Sequence, residues 1–259
     1  MEIGLYQVDA FTDEVFKGNP AAVCPLDAWL PDEVLYKIAA ENNLSETAFF
    51  VPEGDGYRLR WFTPTTEVDL CGHATLATSH VIATELAPGI KDIRFLSKSG
   101  ELKVCCEEGR YTLDFPARPP IPFDGVDMVE DSIGIRPLVT LKSSKLMAVL
   151  EDEAAVLAVE PDFDKVVALP GDGLIVTSRS ENYDYVARYF GPHCGIPEDP
   201  VTGSAHVVMA PYWKGQLGKS KMIAKQVSQR GGVLWVEDRG DRVLMSGYAV
   251  LYLKGTIYI

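Results

Sequence analysis

Two stretches of the sequence repeat one pattern, and this repeat constrains the fold more than any other feature. EVDLCGHATLATSHVI covers residues 67–82, and EDPVTGSAHVVMAPYW covers residues 198–213. Each has an acidic residue, a short spacer, a glycine (Gly72 or Gly203) and then a run of small and apolar residues. Two copies are too few for a solenoid, so the repeat predicts two similar half-proteins packed face to face. Small-molecule sites are favoured in the cleft between such halves.

Three helices are predicted between the strands. One covers residues 31–43, where apolar residues recur at helical spacing after a proline. The second covers residues 73–86 and is small or apolar on nearly every face, so we expect it to be buried. The third runs from residue 204 to about residue 214, where Pro211 and Gly215 limit its length or kink it.

Strands are predicted where hydrophobic residues alternate or form short runs. These segments are residues 2–11, 47–53, 57–63, 93–100, 101–108, 110–116, 145–152, 173–180 and 183–192. Residues 233–257 predict a strand, a polar turn and another strand. Four prolines in FPARPPIPFDG, residues 115–125, mark a seam. We therefore predict one half made of residues 1–115 plus about 249–259, a second half made of residues 116–248, and an active-site cleft between them.

Composition excludes several classes of protein. Hydrophobic residues make up 47% of the 259 residues, as in globular proteins, and the apolar runs are too short to span a membrane. A net charge of −13 without any basic block argues against nucleic-acid and membrane partners. Five cysteines without a CxxC pair indicate reduced thiols, and the N-terminus lacks the features of a signal peptide. These observations predict a cytoplasmic protein.

The two glycine turns are candidate anion-binding sites. The first N–H groups of a helix lack backbone partners, and Gly72 and Gly203 allow close approach to them. Such N–H groups would hold the carboxylate of a small-molecule substrate and stabilise enolate-like charge as a proton leaves a carbon. Neither a cluster of metal ligands nor a dinucleotide-binding fingerprint is present, so we predict no metal and no cofactor.

Three ionisable residues are candidates for acid/base chemistry. Glu46 lies between a predicted helix and an apolar strand, where loops present side chains. Asp199 precedes Pro200 and is expected to project ahead of the second helix. His73 lies in the first turn of the other helix, whose dipole we expect to hold the imidazole neutral. The plain alternatives are an exposed loop acid, a helix-capping acid and a core histidine, respectively.

Cys71 offers a different chemistry. A thiol at a helix N-terminus has a lowered pKa and could remove a proton from carbon. Racemisation normally needs a second base on the opposite face, and the counterpart of Cys71 in the other turn is Thr202. Threonine is too poor an acid for that role, so we favour a structural role for Cys71.

Four motifs together are similar to those of the PhzF-like (phenazine biosynthesis) family. They are VDAFTDEVFKGNPAAV, AAENNLSETAFF, DLCGHATLAT and EDPVTGSAH, which follow in this order from residue 8 to residue 206. The resemblance implies a diaminopimelate-epimerase-like α+β fold. Such a fold has two pseudo-symmetric halves, each a mixed, mostly antiparallel barrel-like sheet around a central helix.

The resemblance also implies a cofactor-independent isomerase that moves a proton between carbons of a small carboxylate substrate. Its catalytic residues carry over to Glu46, His73 and Asp199. Substrate-binding roles carry over to the two turn glycines, Gly72 and Gly203, to Ser204, and to Asn19 of the GNP motif. We also predict a homodimer. Two alternatives stay open: a racemase or epimerase that uses Cys71, and a non-catalytic binding protein with the same fold.

Overall fold

The computed structural model describes residues 1–259, apart from the side chain of Cys194. The chain divides into two compact units. Unit 1 comprises Met1–Asp114 and Ser246–Ile259, and unit 2 comprises Phe115–Met245. No helix in the described part of the chain is long and apolar enough to cross a membrane.

The first part of the chain contains eight strands and two helices. In chain order they are β1 (Glu2–Ala10), β2 (Asn19–Pro25), α1 (Asp32–Asn42), β3 (Glu46–Glu53), β4 (Gly56–Phe62), β5 (Glu67–Val68), α2 (Gly72–Val81), β6 (Asp92–Ser97), β7 (Gly100–Glu107) and β8 (Arg110–Pro116). Helix α2 continues into a single π-helical turn at Ile82–Leu86.

The rest of the chain contains nine strands and four helices. They are β9 (Ile121–Pro122), α3 (Val126–Ile133), β10 (Val139–Lys142), β11 (Leu146–Val149), α4 (Glu153–Leu157), α5 (Phe163–Ala168), β12 (Leu174–Ser178), β13 (Tyr185–Phe190), α6 (Gly203–Leu217), β14 (Lys221–Gln226), β15 (Gly232–Asp238), β16 (Arg242–Gly247) and β17 (Ala249–Tyr258). A short 3-10 turn covers Pro192–Cys194. Strand β17 belongs to unit 1, where it pairs antiparallel with β1.

The two units have the same order of strand pairings. In unit 1, β1–β2, β3–β4 and β6–β7 are antiparallel, while β2–β3 and β4–β6 are parallel. In unit 2, β10–β11, β12–β13 and β14–β15 are antiparallel, while β11–β12 and β13–β14 are parallel. Parallel pairs need a crossover, and a helix supplies each one: α1 and α2 in unit 1, and α4, α5 and α6 in unit 2. The predicted α+β fold with two similar, mostly antiparallel halves is confirmed.

Helix α2 is the central helix of unit 1. Eight of its ten residues are buried, and it contacts β1, β2, β3, β7 and β17. The buried hydroxyl groups of this helix form hydrogen bonds with its own backbone. Thr78 donates to the Ala74 carbonyl at 2.7 Å, and Ser79 donates to the Thr75 carbonyl at 2.8 Å. The helix can therefore be buried on nearly every face, as predicted, without leaving these hydroxyls unpaired.

Helix α6 is longer than predicted. It continues past Gly215 to Leu217 and contains Pro211 in its interior. Proline removes the hydrogen bond to the carbonyl four residues earlier, which here belongs to Val207. The Arg118 backbone N–H donates to that carbonyl at 3.0 Å instead. Helix α6 therefore ends beyond the predicted limit near residue 214, and a distant segment supplies the donor for the Val207 carbonyl.

Several elements were not predicted from the sequence. Strand β2, strand β14 and the short helices α3, α4 and α5 lie in segments for which no element was predicted. Residues 233–257 contain three strands where two were predicted, because the second predicted strand is interrupted at Tyr248, between β16 and β17.

Candidate active site

Glu46 and His73 meet at one end of the parallel strand pair β2–β3. Glu46 is the first residue of β3 and lies opposite Ala21 of β2, while His73 is the second residue of α2. Glu46 Oε2 lies 3.2 Å from His73 Nε2, and the two side chains are 12% and 6% exposed. Both atoms are buried and neither has a hydrogen bond of good geometry within the described residues. Buried polar atoms without hydrogen bonds are rare, and one explanation is a catalytic role.

The other ring nitrogen of His73 faces Asn19 and Cys71. Asn19 Nδ2 lies 3.3 Å from His73 Nδ1, and Cys71 Sγ lies 3.5 Å from the same atom. Asn19 is fully buried. The preceding Gly18 has φ +62, and a Cβ there would come within 2.1 Å of the Ala10 carbonyl oxygen, so this turn requires glycine. The structure thus places Asn19 against the imidazole.

The charge of His73 differs from the prediction. Burial by itself lowers the pKa of His73, but the neighbouring Cys71 and Glu46 side chains raise that pKa well above its ordinary value. Glu46 lies on the Nε2 side of the ring and is the carboxylate that would balance a positive charge on His73. The helix dipole alone was expected to keep the ring neutral, and that expectation did not include the carboxylate.

Cys71 is poorly suited to act as a base. It is 7% exposed, and burial followed by the Glu46 charge raises the pKa of its thiol above the ordinary value. The nucleophilic or basic form of cysteine is the thiolate. A raised pKa leaves little thiolate at neutral pH.

Glu46, Cys71 and His73 form the one described group of residues that could hold a metal ion, with their ligand atoms within 4.8 Å of one another. A metal binds one ring nitrogen in the plane of the imidazole. Here the thiol approaches Nδ1 and the carboxylate approaches Nε2. An ion at either nitrogen would lie on the side of only one of these donors, whereas catalytic zinc sites use three protein ligands. The group therefore fits a metal poorly.

The second glycine turn is held by Gln226 of β14. The Gln226 side-chain carbonyl accepts from the Thr202 N–H at 2.8 Å, and its amide donates to the Asp199 carbonyl at 2.6 Å. The Thr202 hydroxyl donates to Asp199 Oδ2 at 2.6 Å. Asp199 is 9% exposed and Gln226 is fully buried. This network fixes the carboxylate of Asp199 at the start of α6.

Both helices begin at their turn glycines, as the shared pattern indicates. Cys71 and Thr202 occupy the capping positions before α2 and α6, and both have extended backbones. Ser204, in the first turn of α6, is exposed while its immediate neighbours in the helix are buried. In a first turn with free N–H groups, an exposed hydroxyl adds a further donor.

An arginine–glutamate pair precedes each helix, which the sequence analysis missed. Arg60 binds Glu67 through two hydrogen bonds of 2.7 and 2.9 Å, and Arg188 binds Glu198 through two of 2.7 and 3.0 Å. Each guanidinium also lies 4.9 Å from the ring of the phenylalanine two residues later. The sequence contains a signal for these pairs, because both glutamates lie four residues before the residue that caps the following helix.

The structure divides the predicted site residues between the units. Unit 1 brings together Asn19, Glu46 and His73, with Gly72 beside them in α2. Unit 2 holds Asp199, Gly203 and Ser204 around the start of α6.

Comparisons with known proteins agree on one family. The family model described as phenazine biosynthesis-like protein matches residues 8–255. The chain is 51% identical to an uncharacterized isomerase of Pseudomonas aeruginosa over 259 residues, with 100% of both chains covered. It is 41% identical to an uncharacterized isomerase of Halalkalibacterium halodurans over 264 residues, again with 100% of both covered.

Solved structures extend the comparison. A phenazine biosynthesis protein of the PhzF family from Enterococcus faecalis has a TM-score of 0.98 and 46% identity, with 100% of both chains covered. A hydroxyproline epimerase from Agrobacterium vitis has a TM-score of 0.63 and 8% identity, covering 99% of this chain and 92% of its own. The second likeness shows a shared fold.

Proposed function

The chain belongs to the phenazine biosynthesis-like family and is an isomerase, and on this basis we propose that it moves a proton between two carbons of a small carboxylate substrate without a metal or cofactor. One observation carries the proposal. Glu46 Oε2 and His73 Nε2 are buried, lie 3.2 Å apart and make no hydrogen bond of good geometry. They are free to exchange protons and hydrogen bonds with a third group.

In the proposed reaction Glu46 acts first as a base and then as an acid. Its carboxylate takes a proton from a carbon next to an unsaturated system, and the electrons of that C–H bond move into the unsaturated system. The protonated Glu46 then returns the proton to a different carbon. His73 donates a hydrogen bond from Nε2 to the developing negative charge.

The remaining predicted residues are proposed to bind the substrate. The N–H groups at Gly72 and Gly203, with the Ser204 hydroxyl, would hold its carboxylate. Asp199 would hydrogen-bond the substrate or relay a proton. The small carboxylate substrate, a cytoplasmic homodimer and the absence of a nucleic-acid partner belong to the same proposal.

The test is deuterium exchange from heavy water into a panel of small cyclic and amino carboxylates. Glu46→Gln keeps the size of the side chain but cannot carry a proton, so the exchange rate should fall by ~10²–10⁴-fold while ligand affinity is retained. Glu53→Gln is the matched control, because Glu53 ends the same strand and its side chain is 40% exposed. If Glu46→Gln exchanges as fast as the parent, Glu46 is not the base, and Asp199 replaces it as the candidate.

A further inference from the structure

Trp61 of β4 carries a buried hydrogen-bond donor without an acceptor. Its side chain is 1% exposed, and its indole Nε1 is shielded from solvent and makes no hydrogen bond within the described residues. A buried tryptophan N–H usually has an acceptor, because leaving a buried donor unpaired is costly. An exception of this kind calls for an explanation, and one explanation is a functional role.

The strand register places Trp61 on the same face of the sheet as Glu46. Trp61 pairs with Ala48 across β3 and β4, so these two side chains point to one face. Glu46 lies two residues before Ala48 and points to that face as well. Glu46 and Trp61 are therefore diagonal neighbours, at a separation that an aromatic ring and a long side chain can span.

This face is turned away from helix α1. The adjacent residues Phe49 and Phe62 belong to a buried cluster that includes residues of α1, and side chains alternate between the two faces of a strand. On its other side, Trp61 pairs with Val68 of β5, the strand that leads into α2. Trp61 is thus flanked by the strand that begins with Glu46 and by the segment that leads to His73.

Three polar atoms of unit 1 are alike in having no hydrogen-bond partner. They are Glu46 Oε2, His73 Nε2 and Trp61 Nε1, and all three are buried. The indole N–H is a donor only, so it can be satisfied only by an acceptor. A neutral or anionic oxygen atom meets this requirement, whereas an ammonium group does not.

Unit 2 provides a partner for the polar group at the equivalent position. The equivalent Arg60 and Arg188 each lie one residue before an aromatic residue, which is Trp61 in unit 1 and Tyr189 in unit 2. The Tyr189 hydroxyl donates to the Asp172 carbonyl at 2.6 Å. The unit without Glu46 therefore satisfies this group internally, while the unit that carries Glu46 leaves its donor unpaired.

We propose that Trp61 is a specificity-determining residue of the isomerase, whose indole N–H donates a hydrogen bond to an oxygen atom of the substrate beside Glu46. The substrate then carries a carbonyl or hydroxyl oxygen near the carbon that loses its proton, in addition to its carboxylate group. A site that donates to such an oxygen discriminates against an analogue that lacks it. The inference rests on the proposed function, because the assignment of Glu46 as the base locates the reacting carbon.

The first test compares benzoate with 2-hydroxybenzoate and 3-hydroxybenzoate by calorimetric titration of the full-length protein. At least one hydroxybenzoate should bind the parent about 2- to 10-fold more tightly than benzoate, as one added hydrogen bond allows. Trp61→Phe should abolish this preference. Trp213→Phe is the matched control, because its buried indole N–H already donates to the Thr177 hydroxyl at 3.1 Å, and it should keep the preference.

The second test uses the unaltered protein and guards against variants that fold poorly. Labelling with ¹⁵N-tryptophan gives one indole signal for each of the four tryptophans, Trp29, Trp61, Trp213 and Trp235. The Trp61 indole proton should shift downfield when the hydroxybenzoate binds, because a hydrogen bond forms, and the Trp213 signal should stay in place.

Three results would each overturn the inference. They are the absence of saturable binding for every probe, a Trp61 signal that does not move when a hydroxybenzoate is bound, and an unchanged preference for the hydroxybenzoate in folded Trp61→Phe.

The same measurements separate this inference from the proposed function. If the Trp61 signal stays in place while Glu46→Gln loses deuterium exchange, the substrate contact is wrong and the isomerase mechanism stands. If the Trp61 signal shifts and Trp61→Phe loses the preference while Glu46→Gln exchanges normally, the contact stands and the mechanism is wrong.

Discussion

Raising the pH above about 6.5 should destabilise the protein through His73. Burial lowers the pKa of this histidine, but the neighbouring Cys71 and Glu46 side chains raise that pKa well above its ordinary value in the folded state. A group whose pKa is raised by folding stabilises the protein fully below its unfolded pKa. That contribution is lost as the pH rises through the folded pKa.

The size of the effect follows from the structure and from linkage. At the 3.2 Å separation of Glu46 Oε2 and His73 Nε2, the gross attraction is about 5 kcal/mol at an effective dielectric constant of about 20. Desolvation of several kcal/mol per ion opposes this attraction. The change in the free energy of unfolding with pH is therefore more informative than the total interaction energy. If the folded state binds one proton more than the unfolded state, the free energy of unfolding falls by up to about 1.4 kcal/mol per pH unit.

The pH range of the measurement can be chosen so that the slope reports the titration of His73 and not that of its neighbours. Glu46, Cys71 and Asn19 are the groups within contact of the ring. The pKa of Cys71 is also raised, so its thiol adds a slope only above its unfolded pKa of about 8.5. Between about pH 6.5 and 8.5 the slope should therefore report His73.

The assay is urea unfolding of the parent and of His73→Gln across this window. The free energy of unfolding should fall with pH in the parent and should fall much less in His73→Gln. His80→Gln is the control on the same helix, because burial lowers the pKa of His80 and its contribution changes only below about pH 6.5. Equal slopes in the parent and His73→Gln would refute a raised pKa of His73 in the folded state.

Three further predictions concern neighbouring residues. Cys71→Ala should retain deuterium exchange, because its thiol is protonated; loss of exchange by more than about 100-fold would restore the thiol as a candidate base. Gln226→Leu should lower the free energy of unfolding by about 1–3 kcal/mol for each polar group it leaves unpaired, at Thr202 N–H and the Asp199 carbonyl; an unchanged urea midpoint would contradict this. Asn19→Leu should slow exchange and shift the ¹⁵N signals of the His73 ring, because Asn19 Nδ2 lies 3.3 Å from Nδ1; unchanged ring signals would show that Asn19 does not set the state of the imidazole.

Local patterns predicted those parts of the fold that local chemistry determines. The start of α2 follows from a glycine before a run of small residues, and strand β8 has the bounds that its alternating sequence indicates. Strand β2 was missed because its small residues and two prolines show no strand period, although most of its residues are buried. Helix α6 passes through Pro211 only because Arg118 supplies a distant donor, which no local pattern can reveal.

In the candidate site, too, local sequence patterns predicted some features, while contacts between distant segments determine others. Glu46, His73 and Asp199 were selected from motifs, but the contact between Glu46 and His73 depends on how β3 and α2 pack in unit 1. The prediction of a neutral His73 did not include that contact, since the helix dipole is a local effect and the carboxylate comes from another element. The role of Gln226 depends on how β14 lies against the turn that precedes α6, which no local pattern reveals.

The two units share the same order of strand pairings but differ in the side chains at equivalent positions, and this difference bears on the mechanism. Equivalent arginine–glutamate pairs precede both helices, so the surrounding backbone is built alike. However, Glu46 precedes the Thr47–Phe62 pair in unit 1, whereas Gly173, where no Cβ fits, precedes the equivalent Leu174–Phe190 pair in unit 2. Inversion at carbon usually needs two bases of similar strength on opposite faces, and the repeat does not supply an equivalent pair. One base that takes a proton and returns it to a different carbon needs only a single carboxylate, so the asymmetry of the repeat favours the transfer of a proton between carbons over racemisation.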